Sequence, residues 1–266
     1  MLHGLRVEPG TPARLAERDP AARPAFDKHD GEKRLKELNE RIDALQYRLY
    51  AENRRSVLLV FQGLDASGKD GVIRRVFHGV NPMGVTVTSF RAPAGAELEH
   101  DYLWRIHAAL PPRGVVGVFN RSHYEDVVAV RMQEIAPESV WRPRYEHIRA
   151  FERMLVDERM TVLKVFLNVS REKQRQRLQE RVDDPEKRWK FRRDDLKVYE
   201  RFGEWLAAWD EALTETSTEW APWHVVPADR NWVKALAVAE LLAAVLEQLD
   251  PRLPEPEPGL EGLRIA

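Results

Sequence analysis

The apolar residues of this chain fall into two alternating patterns. Leu35, Leu38, Ile42, Leu45 and Leu49 recur at steps of three and four, which predicts an amphipathic helix from Gly31 to Ala51. A short unbroken apolar run follows, Ser56 to Phe61, just before Gly63; such a run predicts a strand buried on both faces of a parallel sheet. Similar runs recur at Val85 to Phe90, Val115 to Phe119, Val162 to Val169 and, more weakly, His224 to Pro227. Trp141 to Glu158 and Arg171 to Arg181 lie between them with helical periodicity. The alternation therefore predicts an α/β fold, a doubly wound parallel sheet with helices on both faces. Leu196, Tyr199, Phe202, Leu206, Trp209 and Leu213 follow the steps of one helical face and read as core rather than as a cofactor box. A last helix is expected over Trp232 to Leu249.

The ends differ from the middle. Residues 1–30 mix Pro, Ala and Arg with Glu8, Glu17 and Asp19, which predicts a flexible amino-terminal arm, and residues 251–266 carry a Pro- and Glu-rich stretch, Pro251 to Pro258, expected to be disordered. The remainder, 31–250, is expected to be one domain, and no internal repeat is visible.

Charge narrows the partners. The chain has 42 Lys and Arg against 43 Asp and Glu, a net charge of −1, so bulk attraction to nucleic acid or anionic membrane is not expected. Cysteine is absent, which excludes disulfides, thiolate metal sites and thiol nucleophiles and fits a reducing cytoplasm. The most apolar helical stretch, Leu236 to Leu246, carries Glu240 and is far shorter than the roughly 20 residues of a membrane span. A soluble, cytoplasmic protein is expected.

The sharpest local signal is Gly63-Leu64-Asp65-Ala66-Ser67-Gly68-Lys69-Asp70-Gly71, a G-x-x-x-x-G-K loop between a predicted strand and a helical run. In that context the glycines let backbone N–H groups wrap phosphate oxygens at a helix amino terminus, and Lys69 supplies a point charge. The plain alternative is a Gly-rich turn with a solvated lysine. One departure is chemical: Asp70 stands where a Ser or Thr normally follows the lysine to bind magnesium. Metal ligation must then be arranged otherwise, and Asp65 is the natural candidate.

A second polar cluster follows the Val115 to Phe119 run: Asn120-Arg121-Ser122-His123-Tyr124-Glu125-Asp126. Ligands gather at the carboxyl ends of strands in open α/β sheets, so this cluster is expected to face the phosphate loop. Arg121 offers planar recognition of phosphate oxygens, and Glu125 with Asp126 offers a carboxylate pair for a cation. A helix amino-terminal cap, with Ser122 capping and the acids offsetting the dipole, is the structural alternative. His123 suits packing as well as catalysis.

Arg171 to Arg193 concentrates ten Lys and Arg residues against five acids. Pro185 is expected to break this segment into the two arms of a basic lid near 171–195. Such a lid suits a long, featureless polyanion that offers neither base nor ribose to recognise.

GLDASGKDG, FNRSHYEDV, RVDDPEKRWKF and the pair APW and ADRNW, in that order across Leu35 to Leu249, resemble the motifs of family-2 polyphosphate kinases. Many members carry Asp where this chain has Asn120; the FNRSHYED form resembles the subgroup that phosphorylates both AMP and ADP. The resemblance implies a three-layer P-loop kinase fold with a helical lid, a magnesium or manganese requirement, and inorganic polyphosphate as donor in place of ATP. It also implies AMP, ADP or ATP as partners and a homodimer or homotetramer. On this basis Asp65, Lys69, Arg121, Glu125 and Asp126 are the expected catalytic groups, with Asp65, Glu125 and Asp126 toward the metal. Gly63, Ala66, Ser67, Gly68, Asp70, Gly71 and Asn120 are expected to join Lys69 and Arg121 in binding phosphate or nucleotide. Arg74, Arg75, Arg177, Arg181, Lys187, Arg188 and Lys190 are expected to line the polyphosphate path. Two rivals remain: an ATP-dependent kinase on the same fold, and a non-catalytic P-loop protein whose basic segment grips a nucleic-acid backbone.

Overall fold

A computed structural model describes residues 4–265. Five strands, β1 (Ser56–Gln62), β2 (Val85–Ser89), β3 (Val116–Asn120), β4 (Met160–Asn168) and β5 (Trp223–Pro227), pair in the order β2-β3-β1-β4-β5. Every pairing between neighbours is parallel. The helices are α1 (Lys28–Glu52), α2 (Lys69–Val76), α3 (Trp104–Ala108), α4 (Glu125–Met132), α5 (Glu138–Trp141), α6 (Arg144–Asp157), α7 (Arg171–Asp183), α8 (Asp194–Glu200), α9 (Phe202–Thr216) and α10 (Asn231–Leu249). α1, α2 and α10 pack together as one layer, with α10 on β4 and β5, while α4, α6 and α9 form another, with α6 on β4. This is the expected three-layer arrangement.

The apolar patterning accounts for most of it. β1 is buried at every position, as its unbroken run requires, and the α1 stripe puts Ile42 and Leu49 at 0 % exposure. Each such side chain contributes about 1.5–3 kcal/mol of transfer free energy. Asp27 caps α1 by accepting from the Asp30 N–H at 3.0 Å, and Asn53 ends it in the left-handed region. No helix among the described residues is long and apolar enough to cross a membrane.

Four expectations are corrected. The amino-terminal segment is not a free arm: Leu5, Val7, Ala13 and Leu15 are buried in the core. Val7 N–H donates to the Trp223 carbonyl (2.8 Å) and Val225 N–H to the Leu5 carbonyl (2.7 Å), an antiparallel bridge that covers the open edge of β5. β2 is an edge strand with Val87 54 % exposed, not a strand buried on both faces. The Trp141 to Glu158 periodicity spans two helices, because Pro143 lacks the N–H that would continue α5 into α6. The 196–213 stripe likewise breaks at Arg201, and Trp205, Ala208, Trp209, Ala212 and Leu213 form the buried face of α9. Beyond α10 the described tail has no helix or strand and, Pro251 apart, is exposed. Residues 1–3 and 266, at the outer limits of the expected arm and tail, lie outside the described residues.

Candidate active site

β1 and β3 lie side by side with Phe61 opposite Asn120, so the chain leaves both strands at the same edge of the sheet. The Arg121 N–H donates back to the Phe61 carbonyl at 3.0 Å. Thereby the phosphate loop and the Asn120–Asp126 cluster meet.

Within the loop, Gly63 (φ 146°) and Gly68 (φ 93°) take backbone conformations that side chains resist. Neither has room for one. A Cβ at Gly63 would meet the Leu167 carbonyl at 2.8 Å, and one at Gly68 would meet Lys234 Nζ at 2.2 Å. Ala66 (φ 61°) and Arg121 (φ 64°) are held in the left-handed region without being glycine, a local cost that concentrates at functional sites. α2 begins at Lys69, so its first N–H groups, which lack intrahelical acceptors, stand at the end of the loop.

Lys69 is 8 % exposed, and its Nζ donates to the Gly63 carbonyl at 2.7 Å. Burial, reinforced by the Arg121 charge and opposed by Asp65 and Glu125, lowers its pKa to about 8. Arg121 Nη2 donates to Asp65 Oδ1 at 2.5 Å. Glu125 is the main influence holding Arg121 charged, while burial pushes the Glu125 carboxyl up against the pull of Arg121 and Lys69. In the orientation that satisfies its neighbours, the Gln62 amide donates to Glu125 Oε1 at 2.8 Å and accepts from the Ser122 N–H. Asp65, Lys69, Arg121 and Glu125 are thus gathered at one end of the sheet, each within electrostatic reach of the others. Asp70 is also there, accepting from Asn120 Nδ2 at 2.8 Å.

Asp126 is not part of that group. Its carboxylate pairs with Arg105 at 3.2 Å, which in turn donates to the Arg91 carbonyl at 2.7 Å. Successive helical residues project about 100° apart, so the Asp126 carboxylate faces Arg105 while that of Glu125 faces Gln62, although the two charges still influence each other. His123 is 1 % exposed, with Nε2 3.6 Å from Glu152 and its ring against Phe151 and Tyr124. It packs in the core. Gly71 lies inside α2 with open space where a Cβ would stand.

In the basic segment α7 is followed by a short 3-10 turn, Arg188–Lys190, and then by α8, so a second helical arm starts only at Asp194. Ser170 caps α7 by accepting from the Lys173 N–H at 3.1 Å, and α7 ends at Asp183, just before Pro185. Its cations are mostly engaged locally: Arg181 with Asp195 (3.3 Å), Lys187 with Asp184 (2.7 Å), Arg188 with the Val182 carbonyl (2.8 Å). Lys190 sits 5.1 Å over the exposed Trp189 ring. On α2, Arg74 is exposed and Arg75 pairs with Glu32 at 3.2 Å. Arg177 has a different task. Its Nη1 donates to the Ala66 and Ser67 carbonyls (3.0 Å each), and its Nη2 to those of Ala228 (2.8 Å) and Asp229 (3.0 Å), tying the lid helix to the phosphate loop.

Three residues at the site escaped sequence reasoning. Gln174 is fully buried and donates to the Asp65 carbonyl at 3.0 Å; Lys234 is 1 % exposed and donates to the Ser67 carbonyl at 2.8 Å. Asp195 stands close enough to Asp65 that burial first, then the Asp65 charge, raises its pKa. A lone lysine inside the apolar run Trp232 to Leu236 was the one available signal.

Magnesium characteristically takes one or two carboxylates and fills its shell with substrate phosphate and water. Asp65 and Glu125 supply such oxygens beside the phosphate loop, and among the described residues no group of three or more His, Cys, Asp or Glu could enclose an ion unaided. These residues fit a cation shared with phosphate substrates.

A family model described as Polyphosphate kinase 2 matches residues 25–254. An AMP/ADP-polyphosphate phosphotransferase of Meiothermus ruber is 49 % identical over 98 % of this chain and 98 % of its own length. An ADP-polyphosphate phosphotransferase of Rhodopseudomonas palustris is 44 % identical over 82 % of this chain and 80 % of its own. The crystal structure of polyphosphate kinase 2 from Arthrobacter aurescens TC1 superposes with a TM-score of 0.92 at 38 % identity, covering 97 % of this chain and 93 % of that one. With the family model matching residues 25–254 and a relative 49 % identical over 98 % of its length, the chain belongs to the polyphosphate kinase 2 family.

Proposed function

We propose that this protein transfers a phosphoryl group from inorganic polyphosphate to the terminal phosphate of AMP or ADP. The observation that carries the reading is the convergence of Asp65, Lys69, Arg121 and Glu125 on the end of one phosphate loop. The near-full-length likeness to an AMP/ADP-polyphosphate phosphotransferase supports the choice of substrates.

The chemistry needs little acid–base help. A phosphate acceptor has a second pKa near 6 and is largely ionised at neutral pH, so catalysis reduces to positioning two anions and neutralising charge between them. The loop N–H groups and Lys69 hold the donor, whose charge keeps the lysine in its ammonium form. Arg121, pre-oriented by Asp65, presents its planar fork to the migrating phosphoryl group. Asp65 and Glu125 are the residues that would hold magnesium or manganese, which would supply charge neutralisation to the phosphates. Closure of the lid excludes water and limits loss of the phosphoryl group to hydrolysis.

The test is ATP formation from ADP and polyphosphate by purified protein. Wild type is expected to be active and Lys69→Ala and Asp65→Asn nearly inert; a Lys69→Ala variant that turns over at the wild-type rate removes the loop assignment.

A further inference from the structure

Behind the phosphate loop lies a buried ammonium, Lys234, that the transfer scheme does not use. Lys234, in the first turn of α10, is almost wholly buried, and its Nζ rests on the Ser67 carbonyl at 2.8 Å. Arg177 grips the same carbonyl from α7. The place a Gly68 Cβ would occupy is 2.2 Å from Lys234 Nζ and 3.9 Å from Arg177 Nη1, so this glycine is what lets the ammonium reach the loop.

The charges facing Lys234 are Arg177 from α7, Lys69 and Arg75 from α2, and Asp229 from the turn before α10. Asp229 is the one acid among them, and its Oδ1 already accepts from the Ser170 N–H at 2.9 Å. A buried ammonium beside three cations and one distracted carboxylate is short of negative charge. The anion that could supply it is the phosphate chain held on the other side of the Ser67–Gly68 peptide.

We propose that Lys234 is a positioning residue of the phosphate loop that takes up a proton when donor phosphate enters, so that the loop is fully braced only when occupied. The unprotonated amine still donates to Ser67, but weakly; the ammonium makes a charge-assisted bond that holds the carbonyl outward and adds its field to the site. In the unoccupied protein, burial, helped by the Arg177 and Lys69 charges, lowers the Lys234 pKa to about 7, so neutral pH is where this uptake is felt.

The inference rests on the loop holding the donor, and the experiment separates the two. Polyphosphate binding without nucleotide is measured by calorimetry between pH 7 and 9, in buffers of differing ionisation enthalpy, for wild type, Lys234→Arg and Lys234→Met. The terminal phosphate, with a second pKa near 6, is mostly ionised in this range and contributes equally to every variant, so the difference in proton uptake reports the protein. One proton taken up weakens affinity by up to about tenfold per pH unit above the free-state pKa. Lys69, lowered to about 8, adds a second proton of its own in this range. Wild type should therefore show uptake exceeding that of either variant. Lys234→Arg, always charged, should keep its affinity at pH 9 better than wild type, and Lys234→Met should bind more weakly at pH 7, with only the Lys69 part of the pH dependence left. Equal uptake and equal pH slopes in wild type and Lys234→Arg would overturn the proposal and leave Lys234 a packing residue. Should Lys234→Met fail to fold, the Lys234→Arg comparison decides alone. If wild type binds no polyphosphate at any of these pH values, the donor assignment itself fails and takes the inference with it.

Discussion

Replacing Gly68 with alanine adds one methyl group at the most crowded point of the phosphate loop. Two costs follow. The left-handed conformation at φ 93° costs an alanine about 1 kcal/mol. The methyl also falls 2.2 Å from Lys234 Nζ and 3.3 Å from its Cε, so the side chain must swing away and, in melts at about pH 6 where its ammonium form prevails, lose its charge-assisted bond to Ser67, about 2 kcal/mol more. The sum, about 3 kcal/mol, corresponds to a melting temperature lower by roughly 6–12 °C for a chain of this size. Gly71 gives the contrast: it lies in α2 with open space at its Cβ position, and alanine there should gain about 0.5–1 kcal/mol from helix propensity. Calorimetric melts of the two variants, with steady-state kinetics on Gly68→Ala, test the reasoning. Gly68→Ala should melt lower and lose at least about tenfold in kcat/KM for polyphosphate, since even half of the 3 kcal/mol falling on the loop suffices. Gly71→Ala should melt slightly higher. A Gly68→Ala protein that melts and turns over like wild type would refute the claim that Lys234 occupies that space.

Two further variants probe separate parts of the account. Arg121→Lys keeps the charge but loses the planar fork, and kcat for ADP phosphorylation should fall about thirtyfold, the equivalent of roughly 2 kcal/mol, with a folded protein by circular dichroism; an unchanged kcat would remove Arg121 from the transferring phosphoryl group. Lys164 and Glu152 form a fully buried pair (2.6 Å) under Tyr124, whose hydroxyl donates to Glu152 at 2.7 Å. Lys164→Met should destabilise by about 3–5 kcal/mol because it strands the carboxylate, and Lys164→Met with Glu152→Leu should recover much of the loss. A single variant as stable as wild type in denaturant melts contradicts that view.

The parts of the site that lie in short contiguous motifs were legible in the sequence. Gly63 to Lys69 announces its own turn chemistry, and Asn120 to Glu125 follows a strand whose apolar run places it at the sheet edge. What escaped depends on contacts between distant segments. Lys234 is one polar residue in an otherwise apolar helix, and only the packing of α10 beside α2 brings it to Gly68. Asp126 looks identical to Glu125 in sequence until Arg105 claims it. Arg177 reads as one lid cation among many, although its donors are spent on four carbonyls of the loop and of the β5–α10 turn. The amino-terminal segment shows no periodicity because its apolar residues are anchored singly and its backbone bonds go to β5, a partner more than 200 residues away. Edge coverage of this kind leaves no repeating pattern to find. The Arg201 break between α8 and α9 was hidden for the converse reason: apolar spacing can persist across a turn that the backbone does not continue.

In the proposed reaction the phosphoryl group comes from a polyanion gripped by charge alone. This is tested most directly by offering purified protein AMP with either polyphosphate or ATP as donor, at equal concentration of transferable phosphoryl groups and with magnesium present, and following ADP. Polyphosphate should support turnover and ATP should not; equal or faster turnover with ATP would contradict the account and point to an ordinary nucleotide kinase on the same fold.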